Sequence, residues 1–396
     1  LGNGWYNPLP LRMWGARNIR EALPVGRPRA IACLIIDHPD GSVTTVTTGP
    51  DWTTIGGPTL RNSIYLGEVR DARKALPGWD RPGFDDSSWK PVRGTNDRLE
   101  PLQPLSMPPV RAGQPLAVQA VTSPAPGVHI VDFGTNFTGL PEIRLEAPAG
   151  TRITFRFGEL LHPDGTLNPL TGVCGQIKGT RKGPDGKPVP KGGPGAPDVA
   201  WQGNIYIARG GGPEVYLPDF TYHAFRFMEV TGFPAAPDAG TCRAYPLNTD
   251  LAPAGSFSCS SDRLNRIQEM CRRTFLSNVV TVQSDCPHRE RFGYGGDIVA
   301  TSTAYLMNFD VHGFYAKTVR DWADAARPDG RLTDTAPFVG IDYCGVGWAM
   351  VHPLLVEQLH QYYGDRRLLE EQTPVAGRWL EGVAATREDD LVTKGL

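Results

Sequence analysis

The stretch SDCPHRERFGYGGD, residues 284–297, brings Asp285, Glu290 and Asp297 together on a short tether with Arg289 and Arg291. Ionised carboxylate oxygens accept hydrogen bonds from vicinal hydroxyls, and a carboxyl that keeps its proton can donate to a glycosidic oxygen. Acids converging on one cavity therefore suit a sugar. The two arginines can offset repulsion among the acids, and Tyr294 offers an aromatic stacking face. Taken by themselves these residues leave two readings open, a functional loop and a salt-bridged structural one.

The flanking elements decide where such a loop sits. Pro287 disfavours helix at Cys286, and Gly293, Gly295 and Gly296 each make continued helix costly by roughly 1 kcal/mol, so the spacing predicts a compact loop from Asp285 to Asp297. Beyond Ser256 the apolar period is about 3.6. In SSDRLNRIQEMCRRTFLSNVV, Ser260 or Ser261 is placed to cap a helix whose Leu264, Ile267, Cys271 and Phe275 share one face. Similar patterns run through IVATSTAYLMNF, VHGFYAKTVRDWADAA, VHPLLVEQLHQYYGD and DRRLLEEQTPVAGRWLEGVAA. Five such helices with short links predict an α/α hairpin array, with the acidic loop at one of its ends.

Upstream of residue 250 the pattern changes to short runs rich in β-branched and aromatic residues, such as AIACLIIDHPDGSVTTVTTG, which read as antiparallel strands and hairpins. Pro-Asp-Gly recurs at 39–41, 163–165, 184–186 and 328–330. In each, Pro presets φ, Asp can bond its own backbone and Gly tolerates the exit, so each predicts a turn. The tract 178–198, rich in Lys, Pro and Gly, has too little apolar surface to order itself and reads as a surface loop.

The 396 residues are 40% hydrophobic and 21% charged, a composition for two to four domains with real cores. The 40 basic and 42 acidic residues nearly cancel, so no overall field draws the chain to nucleic acid or to an anionic membrane. No window carries the roughly 18 apolar residues of a membrane span. The seven cysteines are scattered without a C-x-x-C pair, which points to small buried hydrophobes rather than disulfides or structural zinc. No His and Cys cluster has metal-ligand spacing and no glycine loop is arranged to cradle phosphate, so neither a metal nor a cofactor is expected. His312, His352 and His360 read as packing or surface residues. Asp334 and Asp342 read as turn or cap residues, and Trp79 and Trp89 as anchors of a sandwich core.

The acidic loop, followed by DWADAARPDGRLTDTAP and YYGD, resembles the catalytic domain of the bacterial α-L-rhamnosidases, glycoside hydrolase family 78. Upstream, LGNGWY, SIYLGEVRDARKALPGWDRPGFDDSSWKPV, VDFGTNFTGLPEIRLEAPAGTRITFRFGELLHPDGTL and YLPDFTYHAFRFMEVTGFP are similar, in order, to the β modules that precede the barrel in that family. The resemblance implies N-terminal antiparallel β-sandwich (jelly-roll-like) domains followed by an incomplete all-α (α/α)6 barrel. The expected boundaries are 1–112, 113–250 and 251–396. It also implies inverting hydrolysis of terminal α-L-rhamnosides, with a carbohydrate as partner and neither nucleic acid nor membrane. Carried over residue by residue, it makes Glu290 the general acid and Asp285 and Asp297 rhamnose-binding carboxylates, with Tyr294 where a Trp packs near the sugar; Arg289 and Trp348 are taken with these as substrate-binding candidates.

The sequence departs from the family pattern at several positions. The loop lacks the Asp that often precedes the acidic Glu, Tyr294 replaces a usual Trp, His288 replaces a usual Gln, and Gly345-Val346-Gly347-Trp348-Ala349 stands where Gly-Trp-Gly-Asp-Ala is common. Tyr343 joins Trp348 as a candidate for the pocket lining. The family's general base is a Glu late in the barrel, downstream of Leu396. With only about five helices after residue 260, the chain reads as a fragment whose helices should expose apolar faces. Two other functions fit the same residues: a lyase cleaving rhamnose linked to a uronic acid, and a non-catalytic carbohydrate-binding scaffold. The compartment, secreted, periplasmic or cytoplasmic, is not encoded in these residues.

Overall fold

A computed structural model describes residues 1–9, 17–95, 102–172, 202–341 and 345–388, with short strand pieces at 12–13, 180–182, 188–190 and 391–392. The tract 178–198, Asp342, Tyr343, Cys174 and Cys344 lie wholly or mostly outside the described residues.

The β region is organised by one long strand, Val128–Leu145, which pairs antiparallel with His223–Thr231 on one side and with Cys242–Thr249 on the other. From His223–Thr231 the sheet continues through Arg152–Gly158 and Gly203–Ile207. The period-two pattern buries Val131, Phe133, Ile153, Phe155, Phe157, Phe225, Met228 and Val230 in one cluster, as alternation on a half-covered sheet requires. Register shifts between Asp132 and Phe137. There Gly134 takes φ +77 and Asp132 accepts its N–H at 2.7 Å while pairing with Arg226 through two bonds of 2.8 Å.

The hairpin Thr59–Ser63/Gly67–Asp71 joins this same sheet, Gly67–Asp71 running parallel to Gly203–Ile207. Its tip, Ile64 to Leu66, is thereby carried toward the helices. By contrast the hairpin Cys33–Asp37/Val43–Thr47 is exposed throughout. The three described Pro-Asp-Gly sequences are turns in which the aspartate Oδ1 accepts the N–H two residues on, from Ser42, Thr166 and Arg331 at 2.9, 3.0 and 3.1 Å.

Six α-helices follow among the described residues: α1 Asp262–Ser277, α2 Gly295–Asn308, α3 His312–Ala325, the single turn α4 Val346–Ala349, α5 Val351–Tyr363 and α6 Arg366–Ala385. Five were expected; the sixth is the short α4, which lies outside the five apolar patterns. Ile298, Tyr305, Phe314, Tyr315, Val319, Trp322, Leu355, Leu359 and Trp379 form their shared core. α6 runs on through Pro374, because Leu368, Gln372 and Trp379 are buried on both sides of it and tertiary burial outweighs the local cost. α1 buries no residue fully, and Leu264, Ile267 and Met270 on it are exposed, which is the kind of apolar exposure anticipated for these helices.

Three expectations fail. Ser261 stands at the N-cap of α1 but its side chain makes no cap bond; Asn265 reaches back instead, accepting the Cys259 N–H and donating to the Cys259 carbonyl. The cysteines are not mostly buried, since of the five described only Cys242 is buried while Cys33 and Cys259 are exposed. Both exposed ones sit outside any core, on the solvent-facing hairpin and on the lead-in to α1. Trp79 is 62% exposed and so anchors no core, while Trp89 is half-buried and meets Phe84 edge-on at 6.0 Å.

Candidate active site

The acidic loop joins a two-stranded ribbon, Val279–Val280/Val282–Gln283, to the start of α2. Its glycines serve close approach as much as helix termination. A Cβ on Gly293 would lie 2.4 Å from the Ala336 carbonyl oxygen, one on Gly295 2.1 Å from the Trp348 carbonyl oxygen, and one on Gly296 2.4 Å from the Trp348 ring. Only glycine lets α4 and the segment 333–336 press so near. Tyr294 forms an antiparallel bridge with Thr335. On either side of it the Gly295 N–H donates to the Asp334 carbonyl and the Ala336 N–H to the Gly293 carbonyl. Asp334 is thus buried, and its carbonyl accepts the N–H of the first residue of α2.

The inner half of the loop is fastened to the β region. Arg291 is 1% exposed and takes φ +58, a backbone state that non-glycine residues adopt only when their surroundings hold them there. Its guanidinium donates to the carbonyls of Pro287, Ile64 and Tyr222 and to the Gln202 side chain, and lies 4.4 Å over the Tyr222 ring. Gln202 also donates to the His288 carbonyl. Phe292 packs with Tyr65 and Trp5 at 6.4 and 6.1 Å between ring centres. Loop, hairpin tip and N-terminal segment therefore share one core of Ile19, Leu23, Ile64, Tyr65, Leu66, Phe292 and Tyr294.

Asp285 braces the loop from within. Its Oδ1 accepts the Phe292 N–H at 3.0 Å, its Oδ2 accepts the Cys286 thiol at 2.8 Å, and its own N–H donates to the Phe292 carbonyl. Burial pushes its carboxyl up to about 7, against the thiol's hydrogen bond and with a further rise from the charge of Glu290. Cys286 in turn accepts the Glu290 N–H at 3.4 Å. Burial, with the charge of Asp285 next, raises this thiol well above its ordinary range, so it remains a donor.

Glu290 is half-buried, and both its backbone and its carboxyl are held. Its carbonyl accepts from the Tyr65 hydroxyl and its Oε2 from the Tyr294 hydroxyl, each at 2.9 Å. Asp297, in the first turn of α2, is half-buried too. Burial raises its carboxyl and the charge of Glu290 adds to the rise, so Glu290 lies within electrostatic reach of both aspartates. Among the described residues no arginine pairs with any of the three acids, so Arg289 and Arg291 form no ion pair through which to offset their repulsion. Arg291 is spent on carbonyls, and exposed Arg289 donates to the Thr171 carbonyl at 3.4 Å.

The structure thus brings Asp285, Glu290, Tyr294 and Asp297 together on one loop, with half-buried Trp348 stacked beside Gly296 and Arg289 on the outer edge. Sequence reasoning missed the anchors Tyr65, Gln202 and Tyr222, and also Glu159. The last lies 3.5 Å from His288, whose imidazole is pushed down to about 4 by burial and by Arg289 and Arg291, making a neutral contact at pH 7. Burial raises Glu159, while Arg289 acts to lower it. Among the described residues no group of three His, Cys, Asp or Glu is placed to hold a metal ion.

Comparison with known proteins meets this geometry domain by domain. Residues 252–395 match the bacterial α-L-rhamnosidase six-hairpin glycosidase domain, 1–114 the α-L-rhamnosidase N-terminal domain and 122–247 the bacterial α-L-rhamnosidase concanavalin-like domain. The chain belongs to the bacterial α-L-rhamnosidase family. It is 34% identical over 382 residues to an α-L-rhamnosidase of Streptomyces avermitilis, covering 95% of this chain and 34% of that one. An α-L-rhamnosidase of Formosa agariphila is 29% identical over 385 residues, covering 94% and 38%. The chain therefore spans little more than a third of the length of these rhamnosidases. Among solved structures, the Streptomyces avermitilis α-L-rhamnosidase complexed with L-rhamnose superposes with TM-score 0.85 at 30% identity, over 98% of this chain and 35% of that one. The α-L-rhamnosidase from Dictyoglumus thermophilum gives 0.83 at 30% identity, over 100% and 41%. As the family implies, β domains lead into part of a helical-hairpin glycosidase domain.

Proposed function

We propose that these residues form the acid side of the active site of an inverting α-L-rhamnosidase acting on terminal α-L-rhamnosides. Glu290 protonates the glycosidic oxygen as its bond to the anomeric carbon breaks. Water attacks that carbon from the opposite face, losing its proton to a second carboxylate that stands roughly 6.5–9.5 Å from the acid in inverting enzymes. None of the residues described here is assigned that second role. Asp297 accepts hydrogen bonds from sugar hydroxyls, Trp348 and Tyr294 bound the ring, and Arg289 reaches the outer edge. Asp285, both of whose oxygens already have partners in the loop, contributes mainly by holding the loop's shape for the sugar.

One observation carries the reading: Glu290 is fixed at backbone and carboxyl, close to two other acids and, among the described residues, paired with no cation. A structural loop would neutralise such charges, because unpaired, partly desolvated carboxylates cost stability. In the complete enzyme, Glu290→Gln is expected to lower kcat on an alkyl rhamnoside by about 10²- to 10⁴-fold. Turnover within a few-fold of wild type would refute the assignment.

A further inference from the structure

The hydroxyl of Tyr294 has no chemical task in that mechanism. The residue is 7% exposed, so it is more wall than lid. Its backbone is held by the Thr335 bridge, and its ring packs tilted against Phe292 with centres 5.9 Å apart. From this fixed base the hydroxyl donates to Oε2 of Glu290 at 2.9 Å. The Glu290 main chain is pinned separately, by Tyr65 at its carbonyl and by Cys286 at its N–H. Glutamate has three side-chain torsions. With the backbone and Oε2 both tied, the remaining freedom is largely gone, and Oε1 is the oxygen without a partner among the described residues.

We propose that Tyr294 is the positioning residue of the acid: its phenolic O–H binds Oε2 of Glu290, so that the proton is delivered from Oε1. This rests on Glu290 being the general acid. When the proton leaves Oε1 for the glycosidic oxygen, negative charge spreads over the carboxylate, and the Tyr294 hydrogen bond becomes charge-assisted and stronger. The interaction thus acts more in the transition state than in the ground state, so its loss lowers kcat rather than raising KM. No proton moves from Tyr294 and no bond to it forms.

The test is a leaving-group series on the complete enzyme, from dinitrophenyl rhamnoside, whose aryloxide departs unprotonated, to methyl rhamnoside, which requires the proton. Tyr294→Phe keeps the ring and removes only the hydroxyl, and a melting temperature within about 2 °C of wild type checks that packing survives. The expected result is a fall in kcat of about 10- to 100-fold on methyl rhamnoside, with KM and dinitrophenyl turnover changed less than about twofold. Equal slowing of both substrates marks the hydroxyl as merely structural, and wild-type rates on both mark it as idle; either overturns the proposal. Glu290→Gln runs beside it as a separate control. If that variant shows no leaving-group dependence, the acid assignment falls and takes the proposal with it. If it shows the dependence and Tyr294→Phe does not, only the role of Tyr294 is lost.

Discussion

Arg289 and Arg291 stand two residues apart in one loop and meet opposite fates. Arg291 is buried in a left-handed backbone conformation and spends its guanidinium on three carbonyls and a glutamine. Arg289 is exposed and, among the described residues, makes one long hydrogen bond, to a carbonyl. The same division runs through the acids: Asp285 is braced inside the loop, while Asp297 is half-buried and lacks a side-chain partner from any other described residue. The loop thus has an inner half that fastens it to the β region and an outer half that carries unneutralised charge. Anchoring and chemistry are assigned to different residues, so they should fail separately.

The largest expected effect on the inner half comes from Arg291→Met. It strands buried carbonyl acceptors at Ile64, Tyr222 and Pro287 and should destabilise the fold by about 3 kcal/mol. Arg289→Ala should change stability by less than about 0.5 kcal/mol, as surface substitutions do. Urea unfolding of the pair measures both, and equal losses would erase the division.

A second effect separates the acids by pH. The carboxyl of Asp285 lies at about 7 in the folded protein against an ordinary 3.8. Between these values the folded state keeps a proton that the unfolded chain has released, so this group lowers stability as pH rises through the window and no further above it. Asp285→Asn removes the titration and keeps an acceptor for the Phe292 N–H. Relative to wild type, the variant should gain stability steadily as pH rises from about 4 to about 7 and no further above that. Parallel pH profiles would mean that the carboxyl is not buried as described.

The helices and the acidic loop were legible because their signals are local: an apolar stripe repeats within a few residues, and proline, glycine and carboxylates crowd one short segment. The turn chemistry of Asp40, Asp164 and Asp329 is local in the same way. What holds the loop was not legible, since Tyr65 and Glu290 are 225 positions apart and Gln202 and Arg291 are 89 apart. No spacing rule joins a hairpin tip or a strand end to a distant arginine. The arginines themselves misled for a related reason: near carboxylates they suggest ion pairs, yet buried carbonyl oxygens of another domain claimed Arg291. The glycines were read as helix breakers, but what requires them at 293, 295 and 296 is a neighbouring backbone or the Trp348 ring.

The measurement that bears most directly on the account is a crystal structure of the complete enzyme with L-rhamnose bound. The account predicts the anomeric oxygen within about 3.2 Å of Oε1 of Glu290, the Tyr294 hydroxyl still on Oε2, and sugar hydroxyls bonded to Asp297. Rhamnose seated elsewhere, with Glu290 more than about 5 Å from the anomeric oxygen, would contradict it.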